Sequence, residues 1–454
     1  MRLPILGHNP IIMRGLMAPI FPLNIDVRKK ITAPLGTIFV SSTATGRNNG
    51  TSWLDAYTDL QTAINSAKTG QEVWVKQGTY YPSVAVGGLG EERDKAFYLK
   101  TGVAVYGGFS GADYIFANRN YIANETICHA NGNYHVFNFK DKNCTRTAIL
   151  DGFTVRGANG NNTTDNRHRG GGFAFPTEQS HPTIRNCKIT NNYSIYGSAI
   201  RVFKSNSVLF ENCLIYDNTG DYAITGDYID APVDQRFTLS GCKIYNTTLT
   251  SQRCIQKWDG NCNGIVIEGC EFYNWKDFPV INLTRSGTTA TQDNIINRCI
   301  FRDCYMALSL RRTSTANRNK VYNTLIKNCT NAIEGRDYGS EFNNCTITGN
   351  TNALYNYNAA NYGYLNNCII YGNTNMFARA GYNNFTFTYS DCQTAQSGTG
   401  NISVNPNWDA NYRLNAGSPC VDVGDNTKVY GDYDLDGNTR IVNTTVDMGC
   451  YERQ

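Results

Sequence analysis

A short phrase that recurs along the middle of the chain constrains the fold more than any other feature. Each copy has a cysteine, replaced once by threonine, and a large apolar residue two positions later. The aligned positions are Cys187, Cys213, Cys242, Cys270, Cys299, Thr324, Cys345 and Cys368. They lie 21 to 29 residues apart, a period typical of solenoids and related arrays. Because the phrase alternates like a strand and lacks helical spacing, it predicts an all-β solenoid.

The alternation also indicates which side chains face the interior. Positions two apart share one face of a strand, so each cysteine and its apolar partner point inward together. The intervening residues face outward and are mixed, from Lys188 to Leu325. Asparagine is frequent five positions after the cysteine, as at Asn192 and Asn350. We expect these asparagines to take left-handed backbone in a turn and to bond their counterparts in the next coil.

The chain has 16 cysteines, so disulfides must be considered. Coils about 4.8 Å apart are close enough for a bridge, but in-register parallel side chains point the same way, which is poor disulfide geometry. We therefore expect the aligned cysteines to be buried, stacked and reduced. The sequence does not decide whether two other pairs form disulfides, Cys304 with Cys329 and Cys420 with Cys450.

Charge and hydrophobicity exclude two classes of protein. The net charge is +4 and the pI is about 8.2. This balance is too mild and too evenly spread for a nucleic-acid-binding surface. No apolar run reaches the roughly 18 residues that a transmembrane helix needs, so we expect no membrane span.

Residues 1–35 are apolar but interrupted by Pro10, Pro19 and Pro22, which prevent a stable helix. They lack the unbroken apolar stretch and the small-residue cleavage site of a secretory signal. One interpretation is a disordered leader or an atypical signal. The other is an extended arm that binds further proteins of a particle.

A helical pattern follows this arm. Ser52 and Asp55 have the spacing of a capping box, and apolar residues from Trp53 through Leu60 to Ala67 follow at helical intervals. The flanking segments IFVSS and EVWVKQGTYY have the composition of strands. We expect a single amphipathic helix that covers the open edge of the first coil.

Both ends of the chain resemble known architectures. The opening, with NNGTSW, LQTAI and EVWVKQGTYY, resembles the start of many bacterial right-handed parallel β-helix proteins. The end, with NPNWDANYRLNAGSPCVDVGDN and DLDGNTRIVNTTVDMGCYE, resembles the choice-of-anchor Q segment of bacterial surface β-helix proteins. The resemblance implies a cap with the first coils at 36–125, a parallel β-helix at 126–395 and a C-terminal cap segment at 396–454. Such helices serve as adhesins, lyases, hydrolases and phage tailspikes, so it does not imply an activity.

Two basic groups are candidate catalytic residues. His168 and Arg169 precede three glycines, and lyases on this fold often use a basic residue to abstract a proton beside a carboxylate. The alternative is that Gly170–Gly172 form a tight turn with solvated basic flanks. Residues 311–318 form a second basic loop with the same alternative. The aspartates that a hydrolase needs are not spaced as a set, since they fall on separate coils. They are Asp151, Asp217 and Asp303.

A third candidate site has the spacing of a calcium loop. Asp432, Asp434 and Asp436 precede a glycine and spell the first half of such a loop. Asn443 stands where a complete EF-hand has glutamate, which excludes that motif. The same residues also suit an ordinary Asp/Gly turn. Calcium is therefore the only cofactor that the sequence suggests.

Three tyrosines form the candidate carbohydrate site. Tyr216, Tyr245 and Tyr273 each lie three positions after an aligned cysteine, on successive coils. An exposed tyrosine column is a natural platform for sugar rings, because its ring face is apolar and its hydroxyl can bond. The alternative is lateral stacking that shields the sheet or packs against another subunit.

Together these features predict a β-helix that serves in attachment, as a phage spike or fibre subunit that binds host-surface glycan. The expected location is the virion, since the chain has no clear signal and no sorting domain after Gln454. Expected partners are a polysaccharide or cell-surface glycan, other particle proteins through residues 1–35, and further copies of the chain, with a trimer as one arrangement. Two alternatives stay open: a polysaccharide lyase or glycoside hydrolase on the same scaffold, and an exported bacterial adhesin at the cell surface.

Overall fold

The computed structural model describes most of the chain. The described residues are 33–34, 36–87, 90–161, 169–177, 180–203, 206–227, 236–247, 252–257, 264–283, 293–310, 319–335, 339–356, 363–378 and 384–454. Nearly all of the N-terminal arm, the candidate His168 and the basic loop 311–318 lie outside these residues.

The chain winds into coils whose strands stack in parallel into three sheets. Each strand pairs with the strand one coil earlier and the strand one coil later, so strand order within a sheet follows the sequence. Ile189 pairs with Ile215, and Ile215 with Ile244, which keeps the repeat in register. This topology is a parallel β-helix and confirms the predicted fold class.

The three sheets differ in length. The strands of sheet 1 are Ile38–Val40, Glu72–Lys76, Ala104–Phe109, Ile149–Asp151, Thr183–Arg185, Leu209–Glu211, Thr238–Ser240, Val266–Glu268, Asn294–Asn297, Asn319–Tyr322, Ser340–Asn343, Gly363–Asn366 and Phe385–Thr388. Those of sheet 2 are Gly78–Tyr80, Thr126–His129, Thr154–Arg156, Lys188–Thr190, Leu214–Tyr216, Lys243–Tyr245, Glu271–Tyr273, Ile300–Arg302, Leu325–Lys327, Thr346–Thr348, Ile369–Ile370 and Asp391–Cys392. Those of sheet 3 are Phe137–Asn138, Phe173–Phe175, Ile200–Phe203, Tyr222–Asp227, Arg253–Lys257, Pro279–Leu283, Met306–Leu310, Asn331–Gly335, Asn352–Asn356 and Asn375–Phe377. A small fourth pair joins Asn159–Gly160 to Tyr193–Ser194.

The interior is one continuous column of apolar side chains. The rings of Phe272 and Phe301 stack inside it with centroids 4.8 Å apart. The aligned cysteines are buried between sheets 1 and 2 and are free thiols, as predicted. Burial raises the pKa of Cys270 and Cys345 well above the ordinary thiol range, so these thiols stay protonated.

The two pairs for which disulfides stayed open are also reduced. Cys304 and Cys329 are buried free thiols on neighbouring coils, and Cys420 and Cys450 are buried free thiols in the C-terminal segment. Burial raises the pKa of Cys450 to about 12. These cysteines therefore act as small apolar side chains in the core.

Left-handed backbone recurs at two places in most coils, and neither is the one predicted. The residue just before the aligned cysteine has positive φ, 54° at Asn186 and 53° at Asn212. A second left-handed residue lies four positions after the cysteine, as at Asn191 and Asp217. The prediction placed this conformation one residue later. It is wrong because the fifth residue instead turns its side chain into the protein.

These inward-turned asparagines do bond between coils, as predicted. The Asn192 amide donates to Oδ1 of Asn218 at 3.0 Å, and the Asn350 amide donates to Oδ1 of Asn373 at 2.9 Å. The same Asn192 amide donates to the carbonyl oxygen of Val155. Because buried polar groups need partners, this ladder holds neighbouring coils in a fixed register.

The α-helix of the described residues is Leu60–Ser66, and three short 3-10 helices span Glu92–Asp94, Phe116–Asn118 and Asn426–Lys428. Asp59 caps the α-helix by accepting the backbone N–H of Thr62 at 2.6 Å. The predicted start at Ser52 is therefore wrong. No helix in the described residues has the length and hydrophobicity needed to cross a membrane.

An aromatic cluster explains why the helix begins late. Trp53 packs against Phe39 with ring centroids 4.7 Å apart, on the outer side of sheet 1. Its indole nitrogen donates to the carbonyl oxygen of Asp113 at 2.8 Å. Ser52 and Asp55 bond each other in a turn that precedes the helix. The apolar spacing that suggested a longer helix therefore belongs to two different packing surfaces.

The C-terminal segment, residues 396–454, runs back along the side of the last coils. Three asparagines that precede aligned positions donate their side-chain amides to its backbone carbonyl oxygens. The pairs are Asn323 with Tyr430, Asn344 with Asp447 and Asn367 with Asp425, at 3.1, 3.1 and 2.9 Å. The left-handed asparagines thus point outward and hold this segment against the β-helix.

This segment covers apolar residues on the outer face of sheet 2. Ile300 and Leu325 pack with Leu435 in one buried cluster, and Ile369 packs with Leu414 in another. The apolar residues at outward positions of sheet 2, such as Ile300 and Leu325, therefore lie where the C-terminal segment covers them. The coils before residue 300 keep an outer face of sheet 2 that the segment does not cover.

Candidate functional site

The part of the outer face of sheet 2 that the C-terminal segment leaves uncovered carries the predicted tyrosine column. Tyr216, Tyr245 and Tyr273 pair in register on three successive coils. The ring centroids of Tyr216 and Tyr245 are 5.1 Å apart with planes at 5°, and those of Tyr245 and Tyr273 are 4.6 Å apart at 8°. All three side chains are half-buried. We call these three residues the tyrosine ladder.

The stacking covers the ring faces. Both faces of Tyr245 contact a neighbouring ring, and the Cζ atom of Arg302 lies 3.9 Å from the ring centroid of Tyr273. A sugar ring cannot lie flat on these faces. The prediction that the ring faces form an apolar platform for sugars is therefore wrong. What the ladder offers is a row of ring edges and hydroxyl groups that repeats once per coil.

Charged side chains lie along the ladder. Glu271 pairs with Lys243 at 3.1 Å and with Arg302 at 2.9 Å, and Arg302 also bonds Asp303 at 2.8 Å. Despite its burial, Glu271 has a lowered pKa, because its bonds to Arg302 and Lys243 outweigh desolvation. The downstream end of the ladder is therefore an ion-pair network whose charges satisfy one another.

The hydroxyls of Tyr245 and Tyr273 are held protonated. Burial and the neighbouring Tyr273 and Tyr216 raise the pKa of Tyr245 to about 12, and burial also raises the pKa of Tyr273. A protonated phenol both donates and accepts a hydrogen bond. The row can therefore bond ligand hydroxyls of either role throughout the physiological pH range.

A second array lies beside sheet 3 and includes the candidate Arg169. Its guanidinium Cζ is 5.4 Å from the ring centroid of Tyr196, which stacks on Tyr222 with centroids 5.6 Å apart. Arg253 continues the stack, with its Cζ 5.1 Å from the Tyr222 centroid and 4.1 Å from that of Phe278. Of these residues only Arg169 was a candidate from the sequence, because the other members do not share one position in the repeat phrase.

The three glycines after Arg169 have a structural reason. A Cβ atom on Gly171 would lie 2.6 Å from the carbonyl oxygen of Ser198, and one on Gly172 would lie 2.5 Å from that of Ala199. Gly170 has a φ of 85°. The glycines let two coils approach closely where the chain enters sheet 3.

The outer face of sheet 3 also carries a column of mostly polar residues that sequence reasoning missed. Its members are Ala174, Arg201, Thr225, Gln256, Asn282, Ser309, Glu334 and Tyr355. Glu334 is buried and accepts a hydrogen bond from Ser309 Oγ at 2.6 Å. It is the one carboxylate among these eight. A buried carboxylate on an outward strand position is a functional signal, since such groups are rarely buried.

The candidate calcium loop is a turn with its own partners. Both oxygens of Asp434 accept backbone N–H groups, from Asn438 and Glu452. Asp436 forms a two-bond ion pair with Arg413 at 2.6 and 2.7 Å. Asp432 is exposed. Across the described ranges, no group of three or more His, Cys, Asp or Glu side chains converges to hold a metal ion.

The three separate aspartates do not form a catalytic set. Asp151 pairs with Arg119 and Arg185, each at 2.6 Å, on the outer side of sheet 1. Asp217 accepts the backbone N–H of Thr247. Asp303 bonds Arg302, as described above. Each carboxylate therefore has its own structural partners, and the three do not meet.

Comparison with known proteins supports the fold. A family described as the right-handed β-helix region matches residues 126–295 and 177–334. With the sheet topology, this match defines a right-handed parallel β-helix. No curated protein matches the chain with significant sequence similarity.

Solved structures with a similar fold include three carbohydrate-related proteins. Pectate lyase Pel9A is 13% identical, covering 93% of this chain and 99% of that one, with a TM-score of 0.46. XylC in complex with xylose is 10% identical, covering 91% and 98%, with a TM-score of 0.45. The GH87 α-1,3-glucanase from Streptomyces thermodiastaticus strain HF3-3 is 12% identical, covering 82% and 70%, with a TM-score of 0.45. These likenesses concern the fold alone.

Proposed function

We propose that the protein binds a glycan along the outer face of sheet 2, with the tyrosine ladder as the contact surface. The observation that carries this proposal is the row of stacked, half-buried tyrosines on the part of the face that the C-terminal segment leaves uncovered. Tyrosine offers an apolar edge and a hydroxyl together, which suits sugars. A row that repeats once per coil suits a polymer with a repeating unit.

Glycan microarrays test this proposal. The wild type is compared with the triple variant Tyr216→Phe/Tyr245→Phe/Tyr273→Phe, which keeps the stack and removes the hydroxyls. We expect wild-type binding to a repeating glycan and a loss of about tenfold or more in the variant, since several hydrogen bonds disappear. Equal binding by both folded proteins contradicts the proposal.

We further propose that this binding serves attachment, and that the protein is carried on a phage particle. The sequence supports it through the apolar, proline-interrupted residues 1–35, which suit an arm that docks on other particle proteins. Particles assembled with the full chain and with a chain lacking residues 1–35 are compared by mass spectrometry. We expect the protein only in the first preparation. A bacterial cell-surface location is the competing outcome, and fractionation of the producing cells detects it.

A second candidate function is cleavage of a polysaccharide on sheet 3. The observation that favours it is the buried carboxylate of Glu334 in a polar column, with Arg169 and Arg253 beside the same sheet. A single carboxylate does not supply the pair that glycoside hydrolases use, so a lyase-type proton abstraction fits better. Assays for unsaturated products and for reducing ends, run with wild type and Glu334→Gln, detect this activity. An activity that survives the substitution excludes Glu334 as its base.

A further inference from the structure

We propose that the upstream end of the tyrosine ladder is a subsite for an anionic group, a carboxylate or sulfate, carried by the glycan. This inference rests on the proposed function of the ladder and names the chemistry of its ligand. Its centre is the guanidinium of Arg156, with the hydroxyl of Thr190 beside it.

The strand register places these residues in line with the ladder. Thr190 pairs with Tyr216 on the next coil. On the preceding coil, the pairing of Lys188 with Thr154 places Arg156 at the same level as Thr190. Arg156 pairs in turn with His129. With coils about 4.8 Å apart, the guanidinium is about 10 Å from the first ladder ring along the axis.

Arg156 lacks the carboxylate that a guanidinium in this setting ordinarily has. It makes no ion pair with any described residue, and its Nε has no hydrogen-bond partner although it is buried. The nearby Glu125 is engaged by Thr154 at 2.7 Å and by Lys188 at 3.3 Å. Among the residues that the structure describes, Arg156 and Lys188 therefore share one carboxylate, which leaves one positive charge without a counter-charge.

Thr190 adds a second unsatisfied group. Its side chain is 4% exposed, and its Oγ1 has no hydrogen-bond partner. A buried hydroxyl without a partner is unfavourable, so a shift of the side chains around it that lets a ligand oxygen accept from it is favoured. A guanidinium also matches the two oxygens of a carboxylate or sulfate with parallel hydrogen bonds.

The opposite end of the ladder provides an internal comparison. Arg302 lies in the same column one coil after Tyr273, whereas Arg156 lies two coils before Tyr216, and Arg302 is paired with Glu271 and Asp303. The two ends therefore differ in charge balance, although each presents a guanidinium. A linear acidic glycan on the ladder is expected to place an anionic group at Arg156 and a neutral sugar near Arg302.

Calorimetric titration at low and high salt tests the subsite. The probes are polygalacturonate and alginate for carboxylates, dextran sulfate for sulfates, and dextran as the neutral polymer. The variants are Arg156→Gln, Arg156→Lys and Thr190→Val, with Arg47→Gln as a surface control of equal charge change. Thermal melting confirms that each variant is folded. If Arg156→Gln does not fold, Thr190→Val tests the subsite in its place.

We expect the wild type to bind at least one acidic polymer in a salt-sensitive way. Arg156→Gln should weaken this binding about tenfold and reduce its salt dependence, Arg156→Lys should restore part of it, and Arg47→Gln should leave it unchanged. Carboxylated and sulfated probes identify which anion is preferred. Equal binding by wild type and Arg156→Gln, or binding of the neutral polymer alone, overturns the subsite. In the second case the ladder proposal survives, because it is tested by the phenylalanine variant.

Discussion

The rings of Tyr245 and Tyr273 lie almost parallel with centroids 4.6 Å apart, on neighbouring coils of the same sheet. Their separation is close to the coil spacing of a parallel β-helix. The backbone register therefore sets the spacing of the rings, and the ladder hydroxyls repeat at the same interval as the coils. A surface whose period is set by the fold is suited to a ligand that is itself periodic.

The ladder contributes to stability as well as to binding. Tyr245→Ala removes contacts with rings on both sides, and we expect it to lower the free energy of unfolding by about 2 kcal/mol. Tyr245→Phe keeps both stacks and should change it by less than about 0.5 kcal/mol. Urea titration of both variants measures the difference. An alanine variant as stable as the phenylalanine variant means that the rings do not pack as described.

The thiol column should be inert. Cys213, Cys242 and Cys270 are buried and free, so thiol reagents should not label them in the native protein. Cys242→Asp buries a carboxyl without a partner and should cost several kcal/mol, whereas Cys242→Ala should cost clearly less. Thiol titration and urea unfolding provide the two measurements. Rapid labelling of these thiols in the native protein speaks against a closed core.

The left-handed asparagines should hold the C-terminal segment in place. Asn344→Ala removes one of the two donors to the buried carbonyl oxygen of Asp447, since Arg440 also donates to it, and should cost about 1 kcal/mol. Asn212→Ala is the matched control, because Asn212 has the same backbone conformation but lies upstream of the covered coils. Limited proteolysis should cut the segment faster in the first variant only. Equal cleavage of both variants contradicts the role assigned to Asn344.

Stability should depend on pH through Asp391. Burial raises the pKa of this carboxyl to about 6, against an ordinary value of 3.8. Between these values the folded protein binds more protons than the unfolded chain, so stability falls as pH rises from about 4 to 6. Asp391→Asn keeps the acceptor for the Val404 N–H and should reduce this slope, while buried Glu452, whose pKa burial raises to about 7, keeps part of it. Thermal melts across the range show whether the slope is smaller in the variant.

The repeating features of the fold were predictable from the sequence. The spacing of Cys187, Cys213 and Cys242 indicates coils, and alternation around them indicates which residues face inward. The same register also places the tyrosines in one column. These predictions hold because each coil repeats the environment of the one before it.

Features that join distant parts of the chain were not predictable in the same way. The pairing of Asn344 with Asp447 links residues about one hundred positions apart, and no local pattern indicates it. The stack that contains Arg169 and Arg253 was missed for a related reason, since its members come from different places in their coils. The orientation of the tyrosine rings was also not predictable from the sequence, because composition alone does not show that the faces of Tyr245 are covered.

The most direct test of the central claim locates the bound glycan on the protein. The protein is labelled with ¹³C on its tyrosine rings, and ring resonances are assigned with single phenylalanine variants and followed by NMR as a glycan selected on the microarray is added. If the glycan binds along the tyrosine ladder, we expect the signals of Tyr216, Tyr245 and Tyr273 to shift together and to saturate with one affinity. Shifts confined to Tyr196 and Tyr222, with the ladder signals unmoved, would place the ligand on sheet 3 and contradict it.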